Sequence, residues 1–248
     1  MARLTPLRVA CALVTGLLLT APLLGVERLM AEAAAPGEAL PPLSPTLTEL
    51  HLRGFGPTRL FARPLPAGLE ALNLSDNALP ILPERFLPAG LQRLWLADNR
   101  LVSLPASLAK LERLTYLNLD RNRLASLPPL DALPLRWLRL NNNCLTTLPP
   151  LPATLERLYA ADNQLSAAPA LPAACRQVTL AGNPLAALPE GWGAGLEILD
   201  LSRTALTQLP QDLAPWRSLR LLNLTRCPLS EAERDRIEAA LPTTTLLF

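Results

Sequence analysis

The sequence predicts a slim, curved solenoid of the α/β class, with one parallel sheet along its concave face and extended or 3-10 segments along its convex face. Three observations predict it. The pattern LxxLxLxxNxLxxLP is read almost without change from Leu69, Leu91, Leu114 and Leu135. Looser copies bring the total to nine, with first apolar positions at Leu47, Leu69, Leu91, Leu114, Leu135, Leu155, Cys175, Leu196 and Leu219. Their starts lie 20 to 23 residues apart, enough for a short strand, a turn and an extended return, but too few for a strand plus a full helix.

Each position of the pattern has a physical reason. Leucines spaced by two, such as Leu117 and Leu119 or Leu138 and Leu140, point inward from a strand and leave the residue between them on the outer face. Successive strands therefore stack as one parallel sheet. Asn77, Asn99, Asn122, Asn143, Asn163 and Asn183 recur three residues after the last strand position, where the chain turns inward and strands its backbone polar groups. A side-chain amide donates and accepts at once, so these six are expected to form a ladder between coils, each sparing a buried group a cost of about 1–3 kcal/mol. Phe55, Thr204 and Cys227 stand at the same site in the remaining copies and predict less regular ends. Pro83, Pro105, Pro128, Pro149, Pro169, Pro189 and Pro210 fall six residues after the ladder position, where a fixed φ suits an extended return. Much of the 27-proline content is thus a matter of register rather than of low complexity.

The two ends are different. Arg3 and Arg8 precede an uncharged apolar run from Val9 to Val26, followed by the A-x-A arrangement Ala31-Glu32-Ala33. Residues 1–33 read as an export signal peptide or, since Glu27 and Arg28 intrude before the cleavage-like site, as a retained N-terminal anchor. Residues 34–46, with four prolines, read as an extended lead-in to the repeats at 47–229. In 230–248, Ser230 and Glu233 make an S-x-x-E capping box that opens a helix through about Leu241, stopped by Pro242, and Thr243 to Phe248 are strand-prone. Helix and strand together are expected to cover the last coil, since an open solenoid end invites aggregation.

Composition and chemistry remove several function classes. A net charge of +2, with both signs interspersed, argues against nucleic acid as a main partner. His51 is the only histidine and has no nucleophile signature near it, so neither a catalytic triad nor a zinc set is expected. Cys11, Cys144, Cys175 and Cys227 show no paired spacing, and intramolecular disulfides are not expected. Asp76, Asp98, Asp120 and Asp162 are spread over four coils, too far apart for calcium, and read as a solvated rim. Trp192 and Trp216 lie in convex returns and are expected to fill the back of the coil. Ala160, Ala168, Cys175 and Val178 replace leucine and predict a thinner core there. No cofactor is called for.

What remains is a concentration of large side chains on the outer face of four successive strands: Arg93 and Trp95, Tyr116 and Asn118, Trp137 and Arg139, Arg157 and Tyr159. With strands about 4.8 Å apart these eight form one patch roughly 15 Å long. Trp, Tyr and Arg are the types enriched at binding hot spots. The alternative is that they only stack across strands and stabilise the sheet by about 0.2–1 kcal/mol per pair.

On the quoted motifs the chain resembles the leucine-rich repeat family over residues 47 to 248, which implies a ribonuclease-inhibitor-like right-handed horseshoe. LPPLPATLERL at 148–158 and APALPAACRQV at 168–178 resemble the short bacterial class found in secreted effectors, whose units run LPxLPxxLxxL. Some members of that class carry a C-terminal ubiquitin-ligase domain, but the 20 residues after Pro228 hold no cysteine to serve one. Together with the concave patch and the N-terminal segment, the resemblance points to a non-enzymatic, exported bacterial module that binds a protein through its concave sheet as a monomer, touching membrane only through the N-terminal segment. Two alternatives stay open: a cell-envelope glycan binder, with Asn118, Arg139 and Asn141 reading hydroxyls, and an effector-like substrate receptor working with a separate catalytic chain.

Overall fold

A computed structural model describes residues 28–33, 40 and 42–248. The apolar run from Val9 to Val26 and most of the lead-in lie outside the described residues, and among those described no helix is long and apolar enough to cross a membrane.

Eleven strands form one sheet in strict chain order, every neighbour parallel. They are β1 (Arg28–Glu32), β2 (Glu49–Arg53), β3 (Ala71–Asn73), β4 (Arg93–Trp95), β5 (Tyr116–Asn118), β6 (Trp137–Arg139), β7 (Arg157–Tyr159), β8 (Gln177–Thr179), β9 (Ile198–Asp200), β10 (Leu221–Asn223) and β11 (Thr245–Leu247). The nine repeat copies supply β2 to β10. Their central residues pair in register, so that Leu50, Leu72, Leu94, Leu117, Leu138, Leu158, Val178, Leu199 and Leu222 make one spine with no exposed surface. The core is a ribbon behind the sheet, closed on the convex side by the leucines of the return segments.

At the ladder, each asparagine Nδ2 donates to the carbonyl three residues earlier and to one in the preceding coil. Asn99 Nδ2 reaches Leu96 O at 3.0 Å and Leu74 O at 2.9 Å, and its Oδ1 accepts from Leu79 N at 2.9 Å. Asn77, Asn122, Asn143, Asn163 and Asn183 repeat the arrangement. Where Thr204 and Cys227 stand instead, Thr204 Oγ1 donates to Leu201 O at 2.8 Å and lies 3.2 Å from the Cys227 sulfur. The residue before the ladder position is left-handed in every coil, by φ of 54° to 62° at Asp76, Asp98, Arg121, Asn142, Asp162, Arg203 and Arg226, and by glycine at Gly54 and Gly182. That turn is what drives the following side chain inward.

The convex returns are mostly extended, as the prolines require, with 3-10 turns at Ala106–Lys110 and Ala214–Trp216. The first coil is an exception that the repeat pattern does not announce: it holds a five-residue helix, α1 (Gly56–Leu60), with Pro57 in its first turn. Trp192 and Trp216 fill the back of the coils, their rings 6.5 Å apart and nearly edge-on. The Trp192 indole donates to Pro169 O at 2.8 Å and that of Trp216 to Trp192 O at 2.6 Å, each N–H thus satisfied by the coil before it. At Ala160, Cys175 and Val178 the smaller core side chains remain fully buried, and burial pushes the Cys175 thiol up to about 11.

Both ends are covered. Helix α2 (Glu231–Ala240) starts at Ser230, whose hydroxyl accepts from Glu233 N at 3.2 Å, and Ile237 and Leu241 bury themselves under the last coil. The Glu233 carboxylate does not return to the Ser230 amide as a capping box would have it. It accepts instead from Leu209 N at 2.8 Å and from Arg236, which in turn donates to the carbonyls of Leu209, Pro210 and Gln211. The helix is thereby tied to the coil before it, and β11 pairs with β10. At the other end β1, drawn from residues that read in sequence as targeting, buries Leu29 and Ala31 and pairs along its length with β2. Strand alternation explains it: the inward positions of RLMAE are apolar and the outward ones mostly charged.

A candidate binding surface on the concave sheet

Strands β4 to β7 bring together all eight residues of the sequence-predicted patch. Register sets them in two rows. Arg93, Tyr116, Trp137 and Arg157 are paired neighbours in one row, and Trp95, Asn118, Arg139 and Tyr159 in the other. The rings touch both between rows and along one: Trp95 and Tyr116 centroids lie 5.1 Å apart on the diagonal, and Tyr116 and Trp137, paired in one row, lie 5.8 Å apart. Guanidiniums cover them. Arg157 lies 4.3 Å over the Trp137 ring, Arg139 5.0 Å over Tyr159 and Arg93 5.7 Å over Trp95. Cross-strand stacking is therefore present, and it leaves Trp137 38% exposed. Neither the Trp95 nor the Trp137 indole N–H donates a hydrogen bond among the described residues.

Two of the eight are also engaged internally. Asn118 Oδ1 accepts from Asp120 N at 2.9 Å, the turn contact that Asn73, Asp200 and Asn223 make in their own coils. Arg139 Nε donates to Asp120 at 2.7 Å, and Asp120 also accepts from Asn141 N at 2.7 Å. Asp120 therefore departs from the solvated-rim expectation. It stands one residue before the left-handed turn, so it points over the sheet and is buried by the arginine it binds.

Asp76, Asp98 and Asp162 do lie on the rim, and arginines from other coils neutralise them. Arg53 pairs with Asp76 at 2.7 Å, Arg121 with Asp98, and Arg203 with Asp162 at 2.9 Å. Arg121 holds the Asp98 carboxyl below the usual range through its hydrogen bond and charge, despite some burial. Arg203 reaches Asp162 across an intervening coil because that coil carries Gly182: a Cβ there would sit 2.3 Å from the Asp162 oxygen. Each carboxylate is thus satisfied by a guanidinium, and no group of three or more potential metal ligands occurs among the described residues.

His51 was set aside in the sequence because no catalytic partner surrounds it, yet it extends the patch. It lies 6.1 Å from Trp95 by ring centroid, with one ring nitrogen 2.8 Å from Glu49 and the other 3.3 Å from the Asn73 amide. Burial raises the Glu49 pKa, but the His51 hydrogen bond and the charges of Arg28, His51 and Arg93 outweigh it and hold the group low. The signal that could have found His51 is its outward position on β2, in the same row as Trp95.

With this geometry in view, the comparisons with known proteins give the fold. A family model described as leucine rich repeats (2 copies) matches residues 90–132, the coils of β4 and β5. The chain folds as a leucine-rich repeat solenoid. Its structure is similar to that of YopM, a leucine-rich effector protein from Yersinia pestis, with a TM-score of 0.67 and 29% identity over 87% of this chain and 59% of that one. It is also similar to YopM from Yersinia enterocolitica WA-314, with a TM-score of 0.64 and 28% identity over 84% of this chain and 48% of that one. A Shigella effector LRR domain superposes with a TM-score of 0.54 and 25% identity, over 81% of each chain. The chain thus spans about half to three fifths of the two YopM chains. No curated protein sequence matches it.

Proposed function

We propose that this leucine-rich repeat protein is a non-enzymatic interaction module, exported by a bacterium, that holds a protein partner on its concave sheet between β4 and β7. One observation carries the reading. Two indoles and two phenol rings gather on an open face, with Trp137 more than a third exposed and two indole donors unused, while Trp192 and Trp216 are buried with their donors paired. Contiguous exposed aromatic surface marks interaction sites, and desolvating such rings supplies apolar area at little cost in side-chain entropy. The likeness to effector proteins supports the export assignment, and the repeat scaffold offers a surface rather than an enclosed catalytic pocket.

A protein partner fits better than a glycan. A sugar platform would need free polar groups beside the rings, and Asn118, Asn141 and Arg139 each spend an acceptor or donor inside the chain. The test is capture from secreted, envelope and host-cell fractions on the full-length chain, against a Trp95→Ala, Trp137→Ala, Tyr159→Ala variant with the same circular dichroism spectrum. A protein retained by the wild type and lost by the variant is the expected result. Retention of the same proteins by both, or retention of polysaccharide alone, overturns the reading.

A further inference from the structure

The charges on the central concave face do not balance. Between β4 and β7 the outer face and its entry edge carry Arg93, Arg136, Arg139 and Arg157 against Asp120 and Glu156. Arg139 is bound to Asp120 at 2.7 Å and Arg136 to Glu156 at 3.3 Å. Arg93 and Arg157 form no ion pair and no side-chain hydrogen bond among the described residues. Glu49, whose charge reaches Arg93, is already committed to His51 at 2.8 Å and to Arg28 at 3.7 Å. Each free guanidinium instead rests on an indole, 5.7 Å and 4.3 Å from the ring centroids. A guanidinium held on a ring presents its donors outward with little freedom left to lose.

These two arginines close the ends of one row, Arg93, Tyr116, Trp137, Arg157, and three strand spacings separate them, about 14 Å. An extended chain lying along that row places every second side chain on the sheet, and residues i and i+4 then stand about 13 Å apart. The patch is also narrow. Each strand contributes two outward side chains, a width of about 7 Å, which seats an extended chain but not an α-helix of 10–12 Å diameter.

Resting on the proposed protein-binding role, we infer that the concave patch recognises an extended acidic segment of its partner. The segment carries a carboxylate at i for one of Arg93 and Arg157, a carboxylate at i+4 for the other, and an apolar side chain at i+2 over Tyr116 and Trp137. Guanidinium and carboxylate pair bidentately, and the rings exclude water from both pairs.

A random twelve-residue peptide display library selected on the full-length chain, and counter-selected on the aromatic triple variant, tests this directly. The expected outcome is enrichment of Asp or Glu four residues apart around an apolar residue. A synthetic peptide of that pattern should then bind at least tenfold more tightly than its Gln counterpart in fluorescence anisotropy, with the difference shrinking as salt rises. Arg93→Gln or Arg157→Gln should each remove most of that advantage. Enriched peptides without acidic residues, acidic residues at other spacings, or equal affinity for the two synthetic peptides would overturn the acidic-segment inference while leaving protein binding on this face intact. No enrichment that depends on the aromatic residues would overturn both.

Discussion

Four tryptophans divide this molecule into two kinds of surface. Trp192 and Trp216 sit on the convex returns, at 7% and 1% exposure, each N–H bonded to a carbonyl of the preceding coil. Trp95 and Trp137 sit at outward strand positions, stacked with Tyr116 and covered in part by arginines, with their N–H groups unspent. The same residue type therefore serves packing in one place and an open face in the other, and the difference is set by its offset within the repeat. A ring that stabilises the coil is enclosed on every side and has its polar atom satisfied. A ring on the open face is flanked but uncovered.

That contrast can be broken by experiment. The largest expected effect is on the convex side: Trp216→Ala should lower unfolding free energy by about 3–5 kcal/mol in a urea titration, the range for truncating a fully buried aromatic. A loss under ~1 kcal/mol would mean the returns repack around the gap and that the convex rings are not what holds the coil. Next is the ladder. Asn99→Ala removes an acceptor used by Asn77 N and Leu79 N and a donor to three carbonyls, and should cost roughly 3 kcal/mol by the same titration.

On the concave side the stability effect should be small and the binding effect large. Trp137→Ala should cost less than ~1 kcal/mol of folding free energy, a cross-strand contact's worth, yet at least ~2 kcal/mol of partner affinity. If stability falls as far as for Trp216→Ala, the two surfaces are not distinct. A smaller effect than at Trp216 or Asn99 is expected at the C-terminal cap. Arg236, through its hydrogen bond, holds the Glu233 pKa below its usual value, with help from Leu209 N and against partial burial. A depressed folded-state pKa means that this contribution is complete above the unfolded value near ~4.3 and is lost as pH falls through the folded one. Glu233→Gln should remove about 1–2 kcal/mol at neutral pH and flatten the acid limb of the stability profile, both readable from urea midpoints between pH 3 and 7.

The repeat itself was legible because each of its positions has one dominant physical reason. Strand leucines, ladder asparagines and return prolines recur at fixed offsets, and the nine strands and the helix-strand cap follow from them. The patch was legible as a set of positions for the same reason, since register alone places Trp95 beside Asn118 and Asn118 beside Arg139. Side-chain commitments were not legible. That Asp120 turns over the sheet onto Arg139 depends on a left-handed residue after it, and that Arg203 spans two coils to Asp162 depends on the missing Cβ of Gly182. Strand β1 escaped notice because RLMAE carries no repeat leucine pattern and sits next to an apolar run, although its alternation fits an edge strand. His51 joins the aromatic strip only through a contact that skips a strand.

The most direct test of a concave binding surface is site-specific photocrosslinking in the presence of the captured partner. A benzophenone side chain at Gln177, the outward neighbour of Arg157 on β8, is compared with one at Lys110 on the convex 3-10 turn. Crosslinks from position 177 and none from position 110, abolished by the Trp95→Ala, Trp137→Ala, Tyr159→Ala background, are the predicted result. Crosslinking from position 110 alone, or crosslinking at 177 that persists in that background, would contradict it.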